Sequence, residues 1–530
     1  MMVSGYIAAF TLAFYYTILY TLECIKQWKL RSTIAKKHDC AKPAAQRPWD
    51  ILGLFNIYPS IKHFYRKAVL DNMSASFTQY GDTYSSRILH RRVYITRDPC
   101  NIRHILVTAF ADFNSVDVRA HLFRPIAGES IFVQDGEHWK AVRALYTDMF
   151  SRARQLFSSN AQEAGFQALL QSASTGPGDQ HAVELQQLFL KLILDVNSML
   201  AMGVGTDALS PFQTADKKQF VESLIHAKRV MARNAFLGPL HHLLGKKDFQ
   251  KACRNVKDFV ERVVKDEFAS RSQRIQIQAN NKEITSKPEI HTNLQQLMLD
   301  KNNDIDHVRD EIVLVLIAGT DSVASLLSST FYFLARHETV YAKLRKEIID
   351  TFDTEKPTYE MLRKIPYLSH IFNEAMRLIA PVPINARTAN RDTWLPSGGG
   401  KDGKSAILVH KGENVIYSSW ASHRSTKTFG ADAHEFRPER WEARSLRAEP
   451  ALGYIPFSMG PRVCPGQQYA LLQASYITIR IVQTYSQIRN RDARPWTEKI
   501  DLNLFNKHGV LVDMVPAEED AREATDGTCG

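Results

Sequence analysis

Residues Phe457 to Gly466 read FSMGPRVCPG. A lone cysteine in a long chain is ordinarily a small, inert core residue. Here Cys464 stands in the pattern FxxGxRxCxG with all five fixed positions filled by Phe457, Gly460, Arg462, Cys464 and Gly466. A chance match somewhere in a chain of this length is on the order of 1 in 10,000, so packing alone does not account for it. Outward from this loop, the next unusual stretch is DHVRDEIVLVLIAGTDSVASLLSSTFYFLAR from Asp306 to Arg336, apolar nearly all round. Asp304, Asp306, Asp310 and Glu311 stand at its start and Arg336 at its end, the arrangement that a helix macrodipole favours. It reads as a buried central helix. In its middle, AGTDS (Ala318, Gly319, Thr320, Asp321, Ser322) interrupts the pattern: glycine weakens a helix and a buried aspartate costs desolvation. Either Asp321 is neutralised by a basic partner, or the interruption has a function.

The loop resembles the haem-binding loop of cytochromes P450. That resemblance implies a haem b held non-covalently, with the Cys464 thiolate as axial ligand, which favours O–O cleavage, and with glycines that let backbone amides approach the sulfur. Arg462 would then contact a haem propionate and Phe457 would wall the sulfur. Glu374 and Arg377 in NEAMR resemble the family's ExxR, a motif that also occurs by chance at Glu360 with Arg363 and at Glu519 with Arg522. Its weight comes from FRPERW at Phe436–Trp441, whose Arg440 would complete a buried Glu374–Arg377–Arg440 cluster. Trp139 and Arg143 fit the family's WxxxR, as do Trp420 and Arg424; the first pair precedes the central helix by the family distance. Arg387, soon after PVP at Pro381 to Pro383, is a further expected propionate contact. Under the same resemblance AGTDS is the oxygen-binding signature: Ala318 and Gly319 leave space for dioxygen, Asp321 relays protons from solvent, and Ser322, in place of the commoner threonine, puts a hydroxyl beside the oxygen. Ala318 rather than glutamate agrees with non-covalent haem.

The segments YGDTYSSRI, TRDPCNIRHIL, DGEHWKAVRALYTDMFSR, LPSGGGKDGKSAILVHKGENV and FGADAHEFRPERW resemble the fungal branch whose best-known members hydroxylate n-alkanes and fatty acids at the chain end. Other fungal members oxidise terminal or subterminal carbons of polyketides and other secondary metabolites, and a few haem proteins of this fold are isomerases or dehydratases. The pair Asp321–Ser322 argues for oxygenase chemistry. Phe110, Phe113, Phe123 and Phe132, with Leu504 and Phe505, are candidate pocket walls, and Arg119 and Arg124 candidate carboxylate anchors. The expected class is α+β and mainly α. Gly136 to Arg377 shows helical periodicity, YSSRILHRRVYIT carries a strand signal, and ILVHKGENVIYS reads as a hairpin turning at Lys411-Gly412.

No residue from Val3 to Leu22 is charged, enough for one bilayer-spanning helix of about 20 residues. No basic region precedes it and no small-x-small site follows, which disfavours a cleaved signal. Lys26, Lys29, Arg31, Lys36, Lys37, Lys42 and Arg47 follow against Glu23 and Asp39, so the body is expected in the cytosol at the endoplasmic reticulum membrane. The expected organisation is an anchor at 1–25, a basic linker at 26–50, a catalytic domain at 51–515 and a disordered acidic tail at 516–530. The chain has 530 residues, 67 basic and 56 acidic side chains and six cysteines without a CxxC, which points away from a disulfide scaffold or zinc module. No basic stripe with interleaved aromatics favours nucleic acid. Too little chain follows Cys464 for flavin domains, so a separate NADPH–cytochrome P450 reductase is the expected electron donor, with Lys140, Arg152 and Arg437 as candidate contacts.

Overall fold

The computed structural model describes residues 2–89, 91–151, 157–174, 182–280, 294–295, 298, 304–442 and 453–517. Arg152 and most of the expected acidic tail lie outside them. Two compact units are present, each built from several stretches of chain: Met1–Tyr58, Met73–Asn114 and Ala386–Ser418 in the first, Pro59–Asn72, Ser115–Asn385 and Ser419–Gly530 in the second.

The first unit begins with helix α1, Met2–Lys37. The helix passes residue 25 unbroken, since nothing in 26–37 breaks a helix, and it ends before Cys40 and Pro43 enter isolated bridges with Ala406 and Gly399. Side chains from Phe14 to Leu30 are all exposed. Strands β1 (Ala44–Ala45), β2 (Thr83–Ile88), β3 (Arg91–Thr96), β4 (Phe113–Asn114), β5 (Ile384–Ala389), β6 (Thr393–Gly399), β7 (Ser405–Val409) and β8 (Asn414–Ser418) follow. The largest sheet has the order β1-β2-β3-β8-β5-β4, and β6 pairs with β7 separately. YSSRILHRRVYIT forms the antiparallel pair β2–β3, with Thr83 opposite Thr96.

The second expected hairpin is corrected. A turn does form at Lys411-Gly412, where Gly412 takes a φ of +84°, but its flanking strands go to different sheets, β7 to β6 and β8 to β3. The true hairpin is β6–β7, closed through GGGKDGKS, where Gly400 and Gly403 supply positive φ. Strand β7 thus pairs with β6, and β8 with β3.

The second unit is helical, as the periodicity predicts: α2 (Val116–Ala127), α3 (Gly136–Ser151), α4 (Leu185–Met202), α5 (Ala215–Leu237), α6 (Ile305–Leu334), α7 (Pro366–Leu378) and α8 (Gln467–Thr484) carry what matters for the site. Helix α6 is long and apolar enough to cross a membrane, but it is largely buried, so its hydrophobicity is that of a core helix. Asp304 caps it, accepting from the Asp306 and His307 amides. Leaving α6, the Asp310 carboxylate receives the Glu129 amide at 3.0 Å, and the fully buried Glu311 receives the Ile131 amide at 2.9 Å and the Tyr146 hydroxyl at 2.7 Å. Gly128 makes this possible: a Cβ there would lie 1.6 Å from Asp310 Oδ2.

Candidate functional site

The cysteine loop is a tight, internally bonded turn. The Cys464 amide donates to the Phe457 carbonyl at 2.9 Å and the Val463 amide to Gly460 at 3.0 Å. Gly460 has a φ of +70°, which a glycine adopts freely. Cys464 is enclosed by protein, and that burial pushes its thiol up; the Gly466 amide, donating to the sulfur, and the Arg143 guanidinium act in the opposite direction. Yet the residue retains exposed surface. Arg143 faces the same thiol, its own ionisation lowered by burial and raised by Cys464.

Arg462 pairs with Asp135, donates to the Gln134 carbonyl at 2.7 Å and packs 4.4 Å from the Trp139 ring. Asp135 was not singled out from sequence. It also receives the Val116 amide at 2.9 Å, so one carboxylate joins the start of α2 to the cysteine loop. The competing pair, Trp420 and Arg424, stacks on itself at 3.2 Å, with burial driving the guanidinium well below its ordinary value. Arg387 belongs to the first unit, on β5, where it is buried, donates to the Ala386 carbonyl at 2.7 Å and lies 5.7 Å from the Tyr417 ring.

Behind the loop the structure brings Glu374, Arg377 and Arg440 together. Glu374 Oε1 accepts from Arg377 Nη2 and Arg440 Nε, both at 2.8 Å, and from the Arg437 amide at 2.9 Å. Its Oε2 accepts from Arg377 Nε at 2.8 Å and Trp441 Nε1 at 2.9 Å. Five donors on a carboxylate with no exposure satisfy a charge that would otherwise be costly. Arg377 also donates to the carbonyls of His423, Ala433 and Glu435. The imidazole of His423 extends the cluster. It contacts the Met376 carbonyl at 3.4 Å and accepts the Ile455 amide at 2.8 Å, and burial drives its pKa down to about 3. A neutral histidine thus ties α7 to the chain entering the cysteine loop.

On α6, Asp321 is buried and pairs with Lys228 of α5 at 2.6 Å. Ser322 donates to the Ala318 carbonyl at 2.7 Å, and the Thr320 hydroxyl is buried with no hydrogen-bond partner among the described residues. A Cβ on Gly319 would meet Asn197 Nδ2 at 3.2 Å, so its missing side chain admits α4 close to α6. Lys228 and Asn197 were missed because nothing local marks them; Lys228 is 93 residues from its partner. Among the candidate pocket walls, Phe123 and Phe132 meet edge to face at 5.2 Å, and Leu504 and Phe505 are buried. Arg119 donates to Asn385 at 3.2 Å and lies 5.0 Å from the Phe132 ring, while Arg124 is spent on Glu129 at the surface.

A family profile described as Cytochrome P450 matches residues 43–509. The chain belongs to the cytochrome P450 family. It is similar to "Cytochrome P450 monooxygenase himC" of Aspergillus japonicus, 38% identical over 88% of this chain and 81% of that protein. It is 33% identical to "Cytochrome P450 monooxygenase FPY7" of Fusarium mangiferae over 95% of both chains, and 34% identical to "Cytochrome P450 52A13" of Debaryomyces hansenii over 82% of this chain and 83% of that one. Cytochromes P450 are haem-thiolate monooxygenases that bind haem b non-covalently through a cysteine, and they draw electrons from a redox partner. The residues at hand fit that cofactor: a thiol that keeps exposed surface, a backbone amide on its sulfur and an arginine beside it.

Proposed function

We propose that this cytochrome P450 hydroxylates an aliphatic C–H bond, at or near the end of a long hydrophobic substrate such as a fatty acid or alkane. One oxygen atom of O2 enters the substrate and the other leaves as water, with two electrons originating in NADPH and delivered by a separate reductase. Bound haem supplies the oxygen activation, and the chain supplies binding, orientation and protons. Cys464 would hold the haem iron through its thiolate, whose charge the Gly466 amide and Arg143 would steady. Trp139, Arg143 and Arg462 would hold the haem propionates, and Arg387 is assigned to them on the sequence resemblance alone. Asp321 moves protons towards Ser322 and Thr320, and Lys228 holds the Asp321 carboxylate until it does so.

The observation that carries this reading is the buried carboxylate–hydroxyl sequence Asp321–Ser322 on the central helix of a chain with an intact cysteine loop. An isomerase or dehydratase needs no such proton supply. The choice of substrate rests on the branch-like run LPSGGGKDGKSAILVHKGENV and on the similarity to a relative named cytochrome P450 52A13. Helix α1, with its exposed apolar side chains from Phe14 to Leu22, anchors the protein in the endoplasmic reticulum membrane, with the catalytic part in the cytosol.

The test is mass-spectrometric product analysis of membranes holding the chain, its reductase and NADPH, fed fatty acids and alkanes of graded length. Terminal hydroxylation that disappears in Cys464→Ala is the expected result. No turnover, in a sample whose reduced carbon monoxide complex has the thiolate spectrum, would overturn the substrate assignment and direct the search to polyketide-type chains.

A further inference from the structure

We infer that Ser325 is a positioning residue for regioselectivity: by tying the strand that carries Leu504 and Phe505 to the central helix, it decides which carbon of an aliphatic chain is oxidised. Glu498–Ile500 and Leu504–Asn506 form a two-stranded ribbon, with Glu498 opposite Asn506 and Ile500 opposite Leu504, that joins no other sheet among the described residues. A ribbon of that size is marginal by itself, so its place is set by what ties it down, and the ties lie within the second unit. At the open end, the Glu498 carboxylate accepts the Leu70 amide at 2.8 Å. There Asn506 also exchanges two bonds with Gln186 at the start of α4, accepting from Nε2 at 2.9 Å and donating its amide to Oε1 at 3.1 Å. At the turn end, the Leu504 amide donates to the Pro381 carbonyl at 2.9 Å, and the Leu504 carbonyl accepts from Ser325 Oγ at 2.6 Å. Phe505 stands between the two points of attachment.

Ser325 is buried and lies on α6 three residues after Ser322 and four after Asp321, so all three share one stretch of the helix surface. A shift of the ribbon relative to α6 is therefore a shift of Leu504 and Phe505 relative to the pair proposed to deliver protons. Room for such a shift exists. A cavity of about 10 Å³, the size of one water molecule, opens among Ser325, Ser328, Tyr332, Trp496, Leu504 and Phe505. The neighbouring hydroxyls do not bridge it, because Ser328 and Ser329 donate within α6, to Ala324 at 2.6 Å and Leu326 at 3.0 Å. Neighbouring carbons near the end of a saturated chain are selected by where the walls stop the chain, since oxidation needs the reacting atoms in place. Without the Ser325 bond the ribbon recedes into the cavity, the chain end passes further, and a carbon before the terminus comes into position. The inference rests on the aliphatic hydroxylation proposed above.

Product regiochemistry and hydrogen exchange of the full-length protein test it. In membranes with the reductase and NADPH, fed a saturated fatty acid, Ser325→Ala should lower the ratio of terminal to subterminal alcohol by about fivefold, the factor that one net hydrogen bond carries. Hydrogen peroxide released per NADPH should not change, and Ser325→Thr, which keeps the hydroxyl, should restore the parent ratio. Ser325→Cys, close in shape and a poor donor, should behave as the alanine variant does and replaces it if that protein does not fold. Deuterium uptake by residues 501–506 should be faster in the Ala and Cys variants than in the parent, a readout that needs no substrate. Unchanged uptake overturns the tether. Faster uptake with an unchanged product ratio overturns its part in selecting the carbon, and both results leave the hydroxylase reading standing. A parent that hydroxylates neither fatty acid nor alkane overturns both.

Discussion

At the scale of residues, the pair Lys228–Asp321 is the most consequential contact that sequence did not reveal. Removing one member of a buried ion pair strands the other charge, at a cost of about 3–5 kcal/mol. Lys228→Met should therefore lower the unfolding temperature markedly, and Lys228→Met/Asp321→Asn should recover most of the loss; thermal unfolding of the three proteins measures this. Asp321→Asn alone should slow product formation and raise the hydrogen peroxide released per NADPH consumed, and unchanged coupling would remove Asp321 from proton delivery. What was legible here was what short spacing encodes: the cysteine loop, the i,i+3 placement of Glu374 and Arg377, and AGTDS. Their partners Lys228, Asp135, Trp441 and His423 were not, because they are recruited by the fold from distant segments. Trp441 lay inside FRPERW, and only its indole hydrogen bond to Glu374 shows its part.

At the scale of elements, two carboxylates near the start of α6 hold the segment leading from α2 to α3. Burial raises Glu311 from 4.5 to about 8, against the opposing bonds from Tyr146 and the Ile131 amide. Folding therefore takes up a proton at this site. Its contribution to stability is full below about pH 4.5 and is lost as pH rises towards 8, at about 1.4 kcal/mol per pH unit. Glu311→Gln stays neutral throughout and still offers a carbonyl to Ile131, so its unfolding temperature should fall less than that of the parent between about pH 5 and pH 8. Equal slopes would show that Glu311 is ionised in the folded protein. Element boundaries were legible wherever periodicity was strong, as in α4 and α6. The misplaced hairpin has a simple physical origin. Turn residues mark where a chain reverses, whereas the partner of each strand is set by the sheet as a whole, and here β7 pairs with β6 and β8 with β3.

At the scale of the whole molecule, the charge balance of +11 bears on electron delivery. If basic side chains such as Lys140 and Arg437 meet an acidic reductase, the rate of NADPH-driven reduction should fall as salt is raised, because screening weakens steering between exposed charges. Reduction by dithionite, which needs no protein partner, should change far less; a salt-independent reductase rate would show that docking is not electrostatic. Helix α1 carries a different consequence. It is unbroken from Met2 to Lys37, about 54 Å at 1.5 Å per residue, and near its end Arg31 bonds to Asp392 at 3.0 Å while His38, just past it, stacks on Trp394 at 4.0 Å. If α1 is the membrane anchor proposed above, it would behave as a mast and not as a tether. Its tilt would then pass to the sheet it joins, so a thinner or thicker bilayer, by tilting the helix, would re-aim the first unit and turn lipid composition into a setting of the enzyme's posture.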